Sequence, residues 1–306
     1  MVYPTPEPVA VGAMDPANPS LELPRACPLC GATGAAVMFT GRDTVYETPG
    51  QWEVVRCAFC TLLFTHPAAP IDGVRRHYPS SYSAHAAAGA HRRRRLRDPW
   101  DRVTPFGGGR LLDVGCGSGG YLARMRDRGW RCVGVEPSPA AVAAARSAGL
   151  EVVQGVLPGA NVTGPFEVAV MLGVIGCLPD PLATLRAVRE LLAPGGRLIV
   201  SEHNAASAAS LRFGPYWQGW DLPRHYTHLT PETMTALLDR AGFHRVRLSW
   251  RRRSSRWRHS ANALLRTRRG SRLTEWIARS RLIASWMSAL HGRGPRADEI
   301  VAEADR

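Results

Sequence analysis

Between residues 110 and 125 the chain reads RLLDVGCGSGGYLARM, placing Asp113, Gly115, Gly117, Gly119 and Gly120 between an apolar run and an amphipathic one. Glycines in a turn between a strand and a helix let the backbone adopt positive φ and approach a bound group closely. Two orders overlap here. Gly115, Gly117 and Gly120 follow the G-x-G-x-x-G spacing that receives a dinucleotide, while Asp113, Gly115, Gly117 and Gly119 follow a D-x-G-x-G order. Charge separates them. A pyrophosphate seeks the positive end of the helix with no carboxylate nearby, and Asp113 stands two residues before the first glycine. S-adenosylmethionine (SAM) carries a sulfonium and an ammonium and no phosphate, so the acid attracts it. Glu136, about 20 residues on at the end of the next apolar run, suits the two ribose hydroxyls. The expected cofactor contacts are Asp113, Gly115, Cys116, Gly117, Gly119, Glu136 and Pro137, with Val156, Met171 and Leu172 as walls.

Four of the seven cysteines form two C-x-x-C pairs, Cys27 with Cys30 and Cys57 with Cys60. Two such knuckles offer four thiolates to one tetrahedral Zn²⁺, and four thiolates leave no position for water or substrate, so the expected ion is structural. The strand-like runs AAVMFTG and QWEVVRC between the pairs suit a zinc ribbon. Candidate proton acceptors are His225 and His228 in PRHYTHLT, with His203 in SEHNAAS; an imidazole titrates near neutrality and suits general-base work. Arg224, beside His225, is expected to hold an anionic group of a substrate.

These residues need elements to position them. From residue 110 onward apolar runs alternate with helical patterns: RLLDVG, RCVGVE, LEVVQG, FEVAVML and GRLIVSE read as buried parallel strands. Ser138-Pro139, Asp180-Pro181 and Thr230-Pro231 each put a capping side chain before a proline, which marks a helix start. The expected fold is α/β, a Rossmann-like doubly wound sheet with an N-terminal zinc ribbon and a helical insertion before the last strand. The boundaries are a tail over 1–24, a ribbon over 25–66, a linker or lid over 67–109 carrying Tyr78 and Tyr82, a core over 110–250, a cap over 251–296 and a final strand over 297–306. In the cap, Leu273, Trp276, Ile277, Ile283, Trp286, Met287 and Leu290 recur near helical spacing, which predicts an amphipathic helix with both aromatics on its apolar face.

LLDVGCGSGGYL, VGVEPSP, FEVAVMLGVIGCLPDPLATLRAVRELLAPGGRLIV and YWQGWDLPRHYTHLTPETMTALLDRAGF together resemble the class I SAM-dependent methyltransferases, specifically a zinc-ribbon branch acting on sugars and other small molecules. The resemblance covers about residues 25–250. It implies methyl transfer to an oxygen or carbon of a small molecule of sugar, phenol or polyketide type. One departure stands out: where many relatives carry a Glu-His pair after the fourth strand, this chain has Gly176 and Cys177. The alternatives are therefore a zinc-ribbon RNA methyltransferase and a SAM-binding protein whose activity went with that pair.

The formal charge is +14 and all 39 basic residues are arginine, a balance open to nucleic acid, phosphorylated substrates or a membrane surface. No aromatics interleave Arg92 to Arg95, which ranks nucleic acid behind a small-molecule acceptor. The segment 255–292 is expected to pack as a cap or homodimer element, or to touch membrane. The amino terminus lacks a basic region followed by an apolar run, and no stretch reaches the roughly 18 apolar residues of a spanning helix, so a cytoplasmic location is expected.

Overall fold

Apolar runs with no polar alternation must be covered on both faces, and here they build the centre of a seven-stranded sheet. A computed structural model of the protein describes residues 26–68, 77–78 and 108–306; the tail over 1–24, the block His91 to Arg97 and Tyr82 lie outside the described residues. The sheet contains β4 (Arg110–Val114), β5 (Arg131–Glu136), β6 (Glu151–Gln154), β7 (Phe166–Leu172), β8 (Leu192–His203), β10 (His244–Arg251) and β11 (Glu299–Asp305). Its order is β10-β11-β8-β7-β4-β5-β6. The five expected strands pair in parallel, whereas β11 runs antiparallel between β8 and β10. Leu111, Leu112, Val170, Ile199 and Val200 are wholly buried at its centre.

Helices α1 (Gly120–Arg126), α2 (Pro139–Ser147), α3 (Pro181–Leu191) and α5 (Pro231–Arg240) flank the strands, and α4 (Ala208–Phe213) follows β8. The Ser138, Asp180 and Thr230 side chains accept the Ala141, Ala183 and Thr233 amides, so each expected cap begins its helix.

The ribbon is a second sheet of β1 (Ala35–Gly41), β2 (Trp52–Cys57) and β3 (Leu63–His66). Its fourth strand comes from far along the chain. The two residues of β9 (Thr227–His228) pair antiparallel with Phe64 and Leu63, and the Thr65 amide donates to the Tyr226 carbonyl at 3.0 Å. PRHYTHLT is thus the edge that fastens ribbon to core. No local pattern reveals this, because its partner lies some 160 positions earlier.

Arg224 locks that junction. Its side chain is wholly buried, and Nη1 and Nη2 donate to the two Asp43 oxygens at 2.8 and 2.7 Å. Nε and Nη2 donate to Asp221 Oδ1 at 2.9 and 2.7 Å, and Nη1 also donates to the His77 carbonyl at 2.9 Å. A guanidinium has five N–H donors, and all are used. The expectation that Arg224 holds a substrate anion is therefore corrected: no donor remains, and no solvent reaches it. Asp43 in turn accepts the Val45, Tyr46 and Thr48 amides, folding the ribbon's loop around the carboxylate. Burial alone would raise this acid, but the Arg224 hydrogen bonds and charge overcome that and lower it to about 2.

The insertion forms three helices, α6 (Ser254–Arg266), α7 (Arg272–Arg279) and α8 (Arg281–His291), in place of one amphipathic helix. Ser280 ends α7 and caps α8, so the register breaks there. Ile277, Ala278, Ala284 and Met287 pack inward with Trp257, Trp217 and Phe213. Trp276 and Trp286 point outward, a correction to their expected place on the apolar face. The Trp257 indole donates to Asp298 at 3.0 Å, and Glu299 receives Arg251, Arg253 and Arg256, tying the cap to β11.

Replacing Arg224 with Met keeps the bulk but strands Asp43 without its cation, which should cost about 3–5 kcal/mol in denaturant unfolding. Because Asp43 ionises near 2 when folded against an ordinary 3.8, its contribution is complete above about pH 4 and fades as pH falls towards 2. Acid titration of stability should show the wild-type advantage over Arg224→Met shrinking across that window.

Candidate active site

The carboxyl ends of β4, β5, β7 and β8 lie side by side, the edge where open α/β sheets bind ligands. Gly115, Gly117 and Gly119 all take positive φ, at 75°, 55° and 81°. Their freedom also serves internal packing: a Cβ on Gly115 would lie 2.5 Å from Val174 Cγ2, and one on Gly119 would strike Leu150. Glu136 clamps the turn, its Oε2 accepting the Gly117 amide at 3.0 Å and its Oε1 the Ser138 amide at 2.8 Å. Each oxygen keeps a lone pair for a further donor.

Asp113 is 3% exposed, with Arg124 as its positively charged neighbour. Burial and the charge of Glu136 push its carboxyl up to about 7. Such an acid is stabilised by a cation placed beside it, so Asp113 and Glu136 fit the cationic methionine end and the ribose of SAM. Cys116 packs its sulfur against Gly134, and burial raises its thiol well above the ordinary value. Pro137 and Val156 are exposed beside the loop and Leu172 is half-buried. Met171 is wholly buried in the core, so it offers a ligand only its main chain.

One strand further over, the three histidines of the sequence reading converge. His203, His225 and His228 close around one tight gap with Glu202, Trp217 and Thr227, too small to admit a water-sized group. The His203 and His225 rings stack with centroids 4.8 Å apart. Glu202 and Asp221 flank His225, with Nδ1 at 3.9 Å from Glu202 and Nε2 at 3.8 Å from Asp221. Burial alone would lower the His225 pKa; the charge of Cys177, then the charge of Glu202, a hydrogen bond with Cys177 and the charge of Asp221 carry it up to about 10. These neighbours favour the protonated form of His225. His203 and His228 are held neutral, by burial first and then by neighbouring positive charge that includes His225.

Hydrogen bonds fix both neutral tautomers. His203 Nδ1 meets the Gly219 carbonyl at 2.9 Å, so Nδ1 carries the proton and Nε2 presents a lone pair. Thr65 Oγ1 donates its single proton to the His225 carbonyl at 2.6 Å and so accepts from His228 Nε2 at 3.0 Å. His228 Nδ1 is then a buried acceptor, and it, Thr227 Oγ1 and the Trp217 indole N–H have no partner among the described residues.

Glu202 and Asp221 escaped the sequence reading. Both are single acids outside any motif, and Asp221 stands at φ 43° in a turn whose purpose is visible only once folded. Glu202 also resolves the departure at Gly176 and Cys177. The Gly176 amide donates to Glu202 Oε2 at 2.9 Å, and a Cβ on Gly176 would lie 2.9 Å from His225 Nδ1 and 3.1 Å from that same oxygen. An acid and an imidazole do occupy this corner. They arrive from β8 and from the loop before β9.

The four cysteines gather at the ribbon's end, with Cys27 and Cys60 sulfurs 3.4 Å apart and Cys30 and Cys57 sulfurs 3.5 Å apart. All four lie within 4.8 Å of one another. Sulfurs bound tetrahedrally to Zn²⁺ at about 2.3 Å stand ~3.8 Å apart, so the cluster is compatible with zinc. Glu202, His203 and His225 form the other group of mutually close metal-ligating donors among the described residues. No helix among those residues is long and apolar enough to cross a membrane.

A family model described as a methyltransferase domain matches residues 88–248, just over half of the chain. The ubiquinone biosynthesis O-methyltransferase of Xylella fastidiosa is 31% identical over 180 residues, spanning 53% of this chain and 72% of that protein. Its namesake from Xanthomonas oryzae pv. oryzae is 37% identical over 110 residues, spanning 33% of this chain and under half, 46%, of the relative. A solved structure from Thermotoga maritima, described as a SAM-dependent methyltransferase and possible histamine N-methyltransferase, aligns with TM-score 0.50 at 18% identity. It covers 76% of this chain and 96% of its own, a likeness of fold.

Because the space above Gly176 is already filled, Gly176→Ala should cost about 1–3 kcal/mol by overpacking. Gly176→Glu, which writes back the acid found in many relatives, should cost more. The Gly176→Ala variant should also lower the His225 titration midpoint followed by ring NMR, as the imidazolium is pressed away from Glu202.

Proposed function

We propose that this chain, which belongs to the methyltransferase-domain family and is a SAM-dependent methyltransferase, methylates a hydroxyl oxygen of a small molecule, with His203 taking the hydroxyl proton. The observation that carries this reading is the geometry of the stacked pair: His203 Nδ1 is committed to the Gly219 carbonyl, which leaves Nε2 as its acceptor, and His225 beside it stands between Glu202 and Asp221. The names of the curated relatives, which specify O-methyl transfer, support oxygen as the acceptor atom.

SAM, when bound, supplies an electrophilic methyl group on a sulfonium. Asp113 would meet its positive charge, Glu136 would accept from its ribose, and the glycine turn would give its backbone room to approach. On the acceptor side, His203 Nε2 receives the proton of the attacking hydroxyl, while the His225 imidazolium stabilises negative charge gathering on that oxygen. The four-cysteine cluster holds Zn²⁺ in a structural role, keeping β2 and β3 in place for β9 to pair against.

The test uses methyl-labelled SAM with a panel of phenols and sugars. His203→Ala should lower turnover by about 10²–10⁴-fold and leave calorimetric SAM affinity unchanged. With His203 as base, the rate stays level from pH 7 to 9 and falls as His225 loses its proton near 10. A rate that instead climbs towards pH 10 would assign the base to His225.

For the ribbon, elemental analysis of purified protein should find about one zinc per chain, and Cys57→Ser should release it and lower the unfolding temperature. A zinc-free protein with an unchanged melting profile would remove the metal from this account.

A further inference from the structure

The outer sides of α7 and α8 carry large apolar groups that the fold leaves uncovered. Leu282, Trp286 and Leu290 recur at every fourth position of α8 and are 82%, 60% and 47% exposed. On α7, Leu273 and Trp276 are 38% and 58% exposed, three positions apart on the side opposite buried Thr274, Ile277 and Ala278. These are not loose segments. Ala284 and Met287 of α8 and Ile277 of α7 sit in the apolar cluster with Trp257 and Trp217, so the outward residues are held facing solvent by a packed inner side.

Eight exposed arginines lie between positions 266 and 296; Arg266 pairs with Glu47 at 3.0 Å, and the other seven include Arg272, Arg279, Arg281 and Arg293. From residue 252 to 297 the only acid is half-buried Glu275. An apolar ridge set in a field of one charge needs a partner that is apolar and carries the opposite charge. A second copy meeting this face about a two-fold axis would set the arginines of both chains against each other. An anionic lipid surface satisfies both demands: leucines enter the acyl boundary, indoles lie at the headgroup level, and guanidiniums pair with phosphates.

We propose that the α7–α8 face docks the protein reversibly on anionic membrane surfaces. This is independent of the acceptor assigned above. Membership of the cap in the packed core and exposure of its outer side are separate properties of the same two helices, so the cap both closes the fold and presents the ridge.

Flotation of the full-length protein with vesicles tests it. Vesicles of phosphatidylcholine with 30% phosphatidylglycerol, roughly the anionic fraction needed for interfacial attraction, should carry the protein at low salt. Pure phosphatidylcholine vesicles should carry at least about tenfold less. The double variant Leu282→Ser, Trp286→Ala, altered only at exposed positions and checked for an unchanged melting temperature, should lose binding to the anionic vesicles about tenfold or more. The reversed-charge variant Arg279→Glu, Arg281→Glu should lose it too. The proposal is overturned if the protein stays with the soluble fraction, or if the Leu282, Trp286 variant floats as well as wild type, which would mean attraction by net charge alone. It is equally overturned if sedimentation shows a dimer that this variant dissociates while vesicles go unbound.

Discussion

The burial of one guanidinium constrains most of this molecule. Arg224 can lie out of water only if every N–H is answered, and its answers come from the ribbon's loop through Asp43, from the chain beside His77, and from its own turn through Asp221. Satisfying it brings together segments up to 181 positions apart. It also holds Asp221 close enough to His225 to help keep that imidazole charged. Thus an interaction that touches no substrate sets the electrostatics of the histidine cavity.

Two halves of the site then face each other across the end of β7. On the β4–β5 side stand the carboxyl groups of Asp113 and Glu136, and burial together with the charge of Glu136 disfavours a bare Asp113 carboxylate. On the β8 side stand His203, its Nδ1 committed to the Gly219 carbonyl, and His225 between the carboxylates of Glu202 and Asp221. Main-chain contacts between β7 and β8, including the Gly173 amide on the Ser201 carbonyl at 2.7 Å, hold the halves in fixed relation. Electrostatic preorganisation of this kind requires rigidity more than movement.

The ribbon is structural in a strong sense. Thr65 on β3 accepts from His228 and donates to the His225 carbonyl, so the ribbon selects the His228 tautomer and positions the backbone of the neighbouring imidazolium. A small sheet organised by four cysteines thereby completes a cavity on another sheet. The vacated corner at Gly176 and Cys177 belongs to the same logic. Glycine there makes room for Glu202 and His225 to meet.

What the sequence alone determined was everything carried by local chemistry. The glycine turn, Glu136, the three proline-marked helix caps, the apolar strand runs and the paired cysteines were all legible, because backbone conformation, capping and thiolate spacing depend on neighbours a few residues away. The histidines were legible as residue types but not as charge states. The tertiary structure decided that carboxylates flank His225 while His203 is buried beside positive charge, that Arg224 serves the fold, that Glu202 fills the corner above Gly176, and that the tryptophans of the cap face outward. Each of these turns on groups from distant segments meeting out of water. A pKa, a hydrogen-bond inventory or the buried side of a helix depends on what lies across the gap, which periodicity along one chain does not encode.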